Sequence, residues 1–327
     1  MTQSLAGAPA PPLSDRLRGR QLPHIGLLSR EELDEVMRLG AWFRDNRYDA
    51  TYAHLLHGRV QALLFVYEST RTRMGFEAAM AQLGGTNSYL AADSTQMGRG
   101  ESVGDTARAL DQYIDVFAGR LWKHEDIEAV CANMSVPVLN ACTPVDHSTH
   151  VLGELMAVAQ AKGALEGLNL VYTGMARGIL HSLIRACPVL GTNLVLAVPE
   201  SYAATIDAAI LAEGQRRASA AGTRLEVVTD LRRAMEGADF IQASTLMRSM
   251  LAGEQSPEEQ AVEVSQWTVT DAVLDLAKPD ALYSHSGPAH RNVCATDSVL
   301  DGPRSRVPEE ALNAIYAKKA LLALMVR

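Results

Sequence analysis

Five consecutive residues, Ser69-Thr70-Arg71-Thr72-Arg73, bring three hydroxyls and two guanidiniums one residue after the apolar run Gln61–Tyr67, QALLFVY. If that run is a buried strand and a helix follows, these groups crowd a helix N-terminus. Free backbone N–H groups and the helix dipole already favour an anion there, so a small phosphate-like dianion fits the chemistry. A purely structural reading fits the same spacing: Ser69 caps the helix while Arg71 and Arg73 are solvated. The two readings are compatible, and both stay open.

Histidines form the second group. His147 and His150 lie three residues apart and share one helical face, and His285 and His290 lie far along the chain. Such a set can be read as metal ligands, but no carboxylate ligand or established metal spacing accompanies it. The alternative is that each imidazole satisfies local hydrogen bonds. Arg177 and Arg248 fall in predicted loops, where either can grip a carboxylate or stand in solvent.

These residues need a scaffold, and 327 residues suffice for about two domains with cores of their own. No apolar run approaches the ~18 residues of a membrane span. The net charge of −8 argues against a general nucleic-acid binder, so any anion site must be local. Cys131, Cys142, Cys187 and Cys294 are widely spaced and lack CxxC pairing, which suits reduced thiols and a cytoplasmic location. Residues 1–24, with the stretch APAPP and no continuous apolar leader segment, read as a mobile tail.

Ser29 and Glu32 form a capping box ahead of a helix whose apolar face is Leu33, Val36, Met37 and Phe43. A strand at 61–67 leads through the Ser-Thr-Arg turn into a helix that ends near Gly84-Gly85. Apolar spacing predicts a helix over Asp105–Ala118, then a short strand at Val136–Leu139, the polar segment 140–150 and a helix from Val151 to about Lys162. Strands are then predicted at 168–174, 193–198, 225–230, 238–241 and 280–283, with helices around His181–Ala186 and from Tyr202. Strands alternating with helices imply an α/β protein of two domains, each a parallel sheet flanked by helices. The domain boundaries fall at 25–150 and 151–305, and a closing helix at 306–327 is expected to pack back on the first domain.

The motifs together resemble the aspartate and ornithine carbamoyltransferases, whose phosphate turn is Ser-x-Arg-Thr-Arg. Gln96-Met97-Gly98-Arg99-Gly100-Glu101-Ser102 is similar to the family's interface loop, and Arg120 matches a second substrate arginine. His147-Ser148-Thr149-His150 stands where the family has His-Pro-x-Gln. His285-Ser286-Gly287-Pro288-Ala289-His290-Arg291 is similar to the late motif of both branches. The resemblance runs in order from about residue 25 to the end.

It implies transfer of the carbamoyl group of carbamoyl phosphate to an amine, with residues 25–150 binding the donor and 151–305 the acceptor. Ser69, Thr70, Arg71, Thr72 and Arg120 would hold the phosphate, and Arg71 with His147 would stabilise the oxyanion. His150, Gly287, Arg291 and Gln96 complete the implied donor site; Gln96 would serve a neighbour in a homotrimer with shared active sites. No cofactor, metal or covalent nucleophile is needed, because the amine attacks an activated acyl phosphate. The acceptor must first lose a proton.

The pattern breaks mainly on the acceptor side, where Arg177, His181, Ser244, Arg248 and Ser286 are the candidates. The acid of the ornithine branch's Asp-x-x-x-Ser-Met-Gly is Ser244 here, and its cysteine is Ser286. The asparagines that hold an ornithine carboxylate are absent from 174–182, and the aspartate branch's acceptor arginine motif is absent too. These departures point to a non-standard acceptor, such as a diaminopropionate-type or peptide-linked amine in antibiotic biosynthesis. On the donor side, Ser148 and His150 replace proline and glutamine, and imidazole lacks the amide's paired donor and acceptor. A non-catalytic carbamoyl-phosphate-binding relative and a His-ligated metal enzyme are the alternatives.

Overall fold

The computed structural model describes residues 5–245 and 265–327. Its first sheet contains β1 (Gln21–Leu22), β2 (Val60–Phe65), β3 (Thr86–Ala91), β4 (Val116–Arg120) and β5 (Val138–Cys142), in the order β1-β5-β4-β2-β3. Every pairing is parallel. Ala62 to Phe65 of β2 and Val116 to Ala118 of β4 are buried, as parallel strands covered on both faces must be. Around this sheet lie α1 (Arg30–Asp45), α2 (Thr70–Gln82), α3 (Val103–Leu110), α4 (His124–Asn133) and α5 (Ser148–Lys162).

The second sheet is also parallel, in the order β10-β9-β6-β7-β8, from β6 (Asn169–Thr173), β7 (Asn193–Ala197), β8 (Leu225–Val228), β9 (Phe240–Ala243) and β10 (Leu282–His285). Its helices are α6 (Gly178–Ala186), α7 (Glu200–Ala203), α8 (Ala208–Ala221), α9 (Leu231–Met235), α10 (Asp271–Leu274) and α11 (Asp297–Asp301). The chain closes with α12 (Val307–Met325). One structural unit runs to Met156 and takes up again from Ala311 to Arg327; the other is Ala157–Glu310. Among the described residues no helix is long and apolar enough to cross a membrane.

The helix α1 starts on the expected capping box, with Ser29 Oγ accepting from the Glu32 N–H and Glu32 accepting from the Ser29 N–H. Helix α12 is buried continuously from Tyr316 to Met325. It crosses α5 at close range: a Cβ on Gly153 would lie 2.5 Å from Ala314 Cα.

Three expectations need correction. The helix predicted over 105–118 stops at Leu110, and Val116–Arg120 is strand β4. The Asp111 carboxylate takes up the N–H groups of Ser135 and Val136, and Val116 to Ala118 pair with β2 or β5. A short apolar run at helical spacing does not distinguish the two states. The segment expected as a mobile tail is tied down over its described part: Trp42 Nε1 donates to Ala8 O, Arg327 Nη1 donates to Leu13 O, and Leu17 and Leu22 are buried. Helix α5 begins at Ser148 rather than Val151, which places His150 in its first turn.

Candidate active site

Ligands of open parallel sheets sit beyond the carboxyl ends of the strands, where the strand order reverses. In the first sheet this point lies between β2 and β4, because β2 is flanked by β3 on one side and β4 on the other. Phe65 and Arg120 are register partners there. Arg120 therefore stands beside the turn that carries the chain from β2 into α2.

At that turn Ser69 is extended (φ −159°) and its Oγ accepts from the Thr72 N–H at 3.2 Å. Ser69 is thus the cap, while Thr70 and Arg71 are exposed in the first turn and Thr72 is buried. The two arginines of the motif are not equivalent. Arg73 Nε donates to Glu77 Oε1 at 2.8 Å and its guanidinium lies 3.6 Å from the Tyr89 ring centroid, so it is held along the flank of α2.

Arg120 stacks its guanidinium 4.1 Å from the centroid of Tyr67, which is itself stacked on Trp122 at 4.2 Å. Its Nε is buried and has no hydrogen-bond partner among the described residues. A buried donor left this way is costly, and an anion at the turn would supply the acceptor.

His147 and His150 are both buried, with ring centroids 5.0 Å apart and planes inclined by 28°. The loop before α5 is held by Asp146, whose carboxylate accepts from the Ile25 N–H at 3.0 Å and the Ser148 N–H at 2.7 Å. Burial holds His147 well below its ordinary basicity, and the charges of His150, Arg120 and Lys318 push the same way. Its imidazole is therefore neutral near pH 7 and offers a hydrogen bond without carrying a charge. His150 Nε2 lies 3.2 Å from Glu154 Oε1.

The second sheet reverses between β6 and β9. Gly174 follows β6 with φ +139°, and a Cβ there would lie 2.7 Å from Ser244 O and 2.8 Å from Ser244 Cβ. Only glycine allows the two strand ends to approach so closely. Ser244 is buried, and the neighbouring Thr173 Oγ1 is buried with no partner among the described residues. Arg177 is exposed at the start of α6, and His181 is buried one turn on, its Nε2 accepting from the Asp207 N–H at 3.4 Å.

Ser286 is buried, and its Oγ donates to Ala243 O at 3.3 Å. Gly287 has φ +64° and donates its N–H to His285 Nδ1 at 2.8 Å, so that imidazole nitrogen has a local role. His290 is exposed. Gln96 is exposed in a 3-10 turn, Gln96–Arg99. Arg248, with the other residues at 246–250, lies outside the described residues.

The Arg291 guanidinium donates to Asp297 Oδ1 at 2.6 Å and to Asp301 at 2.7 and 2.9 Å. Two carboxylates within ten residues satisfy the planar fork and raise its basicity further.

The first unit thus gathers Ser69, Thr70, Arg71, Thr72 and Arg120 around one strand-to-helix turn. His147 and His150 belong to the same unit, and Gly174, Arg177, His181 and Ser244 cluster at the reversal in the other. Tyr67, Asp146 and Lys318 were not expected from sequence. Tyr67 closes the strand's apolar run, and its stacking on Arg120 depends on strand register rather than on any local pattern.

Residues 20–160 match the family model described as the aspartate/ornithine carbamoyltransferase carbamoyl-P binding domain, and residues 166–325 match the Asp/Orn binding domain of the same family. An ornithine carbamoyltransferase of Listeria monocytogenes serotype 4a is 34% identical over 298 residues, covering 91% of this chain and 93% of the relative. The solved ornithine carbamoyltransferase of Pyrococcus furiosus superposes with a TM-score of 0.89 at 34% identity, covering 95% of this chain and 98% of that one. The enzyme of the same name from Gloeobacter violaceus gives 0.82 at 32% identity, over 95% and 100%. With both family domains matched in order and an anion-ready turn at the first sheet's reversal, the chain belongs to the aspartate/ornithine carbamoyltransferase family and is a carbamoyl-transferring enzyme.

Proposed function

We propose that the chain moves the carbamoyl group of carbamoyl phosphate to an amine of a non-standard acceptor, a diaminopropionate-type or peptide-linked amine, and releases phosphate. Ser69, Thr70, Arg71, Thr72 and Arg120 bind the phosphate, which leaves with the electron pair of the broken C–O bond. Arg71 and neutral His147 polarise the carbonyl oxygen, a contribution of about 3 kcal/mol per donor in comparable sites. The acceptor loses its ammonium proton to solvent, its lone pair forms the new C–N bond, and the second proton of that nitrogen is carried off by the departing phosphate. His150 orients the carbamoyl group in place of an amide.

The observation that carries the acceptor reading is the sequence of the second reversal. The stretch Ser244-Thr245-Leu246-Met247-Arg248-Ser249-Met250 offers no acid of its own for a free α-ammonium, while Arg177 and Arg248 suit a carboxylate. An acceptor with a blocked α-amine, as in antibiotic biosynthesis, satisfies both features. The relatives named ornithine carbamoyltransferases favour a second reading, in which ornithine itself is the acceptor. We further propose a cytosolic homotrimer in which Gln96 serves a neighbouring subunit.

The test is colorimetric ureido detection with carbamoyl phosphate and a panel holding ornithine, aspartate, diaminopropionate and its peptide-linked forms. Turnover confined to the diaminopropionate compounds is expected. Preference for ornithine overturns the acceptor reading, and donor binding without product from any amine identifies a non-catalytic relative.

A further inference from the structure

Lys318 of α12 is 1% exposed, and nothing in the proposed reaction uses it. Its Nζ donates to Ala314 O at 2.9 Å and to Thr149 O at 3.5 Å, and no carboxylate pairs with it among the described residues. The space for its side chain exists because position 75 is glycine: a Cβ there would lie 3.2, 3.3 and 3.4 Å from Lys318 Cδ, Cε and Nζ. Gly75 is four residues after Arg71 and shares its face of α2. Thr149 lies between His147 and His150 in the chain. One buried amine therefore touches both segments that carry the donor-side residues.

We propose that Lys318 is a positioning residue for the donor site: its ammonium, held between the second turn of α2 and the first turn of α5, places a buried positive charge behind the anion cradle. This rests on the donor-site reading above. Burial lowers the basicity of Lys318 to about 7, so amine and ammonium coexist near neutrality. A divalent anion at the turn favours the ammonium, and by linkage the ammonium favours the anion to the same degree.

The elements packed against Lys318 carry other charged groups. These are His147, His150 and Glu154 at and after the start of α5, Arg71 with the Arg73–Glu77 pair on α2, the Arg44–Asp45 pair on α1, and the buried Glu310 two turns earlier on α12. Arg120 stands at the end of β4, and Lys319 on α12 itself is lowered to about 8 by burial. His147 is already neutral above pH 6.5, so Lys318 and Lys319 are the two resolved candidates for a change between pH 6.5 and 8.5.

The experiment is calorimetric titration of the full chain with inorganic sulfate, a dianion that does not titrate in this range, at pH 6.5 and 8.5 and constant ionic strength. Wild-type affinity is expected to be roughly fivefold weaker at pH 8.5. Lys318→Met should bind weakly and equally at both values. Lys318→Arg, permanently cationic, should keep the stronger affinity at both and carries the test if the Met variant does not fold. Lys319→Gln should retain the wild-type ratio. Equal wild-type affinities, a Lys318→Met protein that keeps the wild-type ratio, or loss of that ratio in Lys319→Gln would overturn the proposal. Arg71→Ala reports separately on the donor site. Sulfate affinity unchanged in that variant removes the donor-site reading itself, whatever Lys318 does.

Discussion

The Arg120 guanidinium lies 4.1 Å from the centroid of the Tyr67 ring, at the reversal point of the first sheet. The aromatic face holds the cation while leaving its N–H groups for an anion, and Trp122 backs the ring from the other side. A cation over an aromatic ring is worth about 0.5–2 kcal/mol, depending on how far it is desolvated. Tyr67→Leu should therefore weaken phosphate binding by roughly two- to thirtyfold with the circular dichroism spectrum unchanged. Calorimetry with inorganic phosphate measures it, and an unaltered affinity would mean that Arg120 is held by its strand alone.

His147 gives the first unit a sensitivity to acid. Its folded-state basicity is depressed by burial and neighbouring cations, whereas in the unfolded chain it titrates near 6.5. Below that value the unfolded state binds the additional proton. Stability is then lost as pH falls, at up to about 1.4 kcal/mol per unit for this one group. Denaturant titrations at pH 5 and 7 should show a smaller difference for His147→Asn than for the parent chain.

Lys318 has the same sign at higher pH. The folded chain holds it near 7 while the unfolded chain keeps the proton to about 10.5, so its contribution rises across that window. Lys318→Met should flatten the rise and add a few kcal/mol at pH 7, an order-of-magnitude figure from the shift. A variant less stable than wild type at pH 7 would show that the packing of the stem outweighs the buried charge.

Two glycines of the first unit should answer differently to alanine. At Gly153 the new methyl meets the Ala314 backbone, 2.5 Å from Cα and 2.7 Å from N, and neither helix has a flexible group to yield. At Gly40 it meets the tip of Met156 at 2.6 Å, which can rotate away, although Tyr316 O is 3.2 Å off. Overpacking costs typically 1–3 kcal/mol, so Gly153→Ala should reach or exceed the upper end and Gly40→Ala stay near the lower. Thermal melting of the two variants ranks them.

The donor turn was legible in the sequence because its groups are contiguous, and one strand and one helix suffice to place them. Even the different duty of Arg73 had a local signal, since Glu77 follows at the spacing of a helical ion pair. Strand β4 was misread because Ala109, Leu110, Ile114 and Phe117 mimic a helical stripe, and what makes Val116–Arg120 extended is pairing with β2 and β5. Edge strand β3 was missed for the opposite reason, since it opens on the polar Thr86-Asn87-Ser88 and none of its residues Thr86–Ala91 is fully buried. The burial of Lys318 depends on a missing side chain at Gly75, 243 positions away, which no local pattern announces. Arg291 matches its motif by position, and its ion pairs with Asp297 and Asp301 follow from the fold of the intervening turn rather than from the motif.

The chain leaves its first unit at Met156 and re-enters it at Ala311. A ribosome therefore delivers every described strand of the donor-side sheet before the other unit but withholds the buried helix α12 until that unit has been made. The first unit is completed only after the intervening one, and in the interval Gly153, Gly75 and their neighbours stand without the partner they are shaped for. An N-terminal fragment expressed alone would inherit that deficit permanently, whereas the intervening half, contiguous over Ala157–Glu310, can mature while synthesis is still under way.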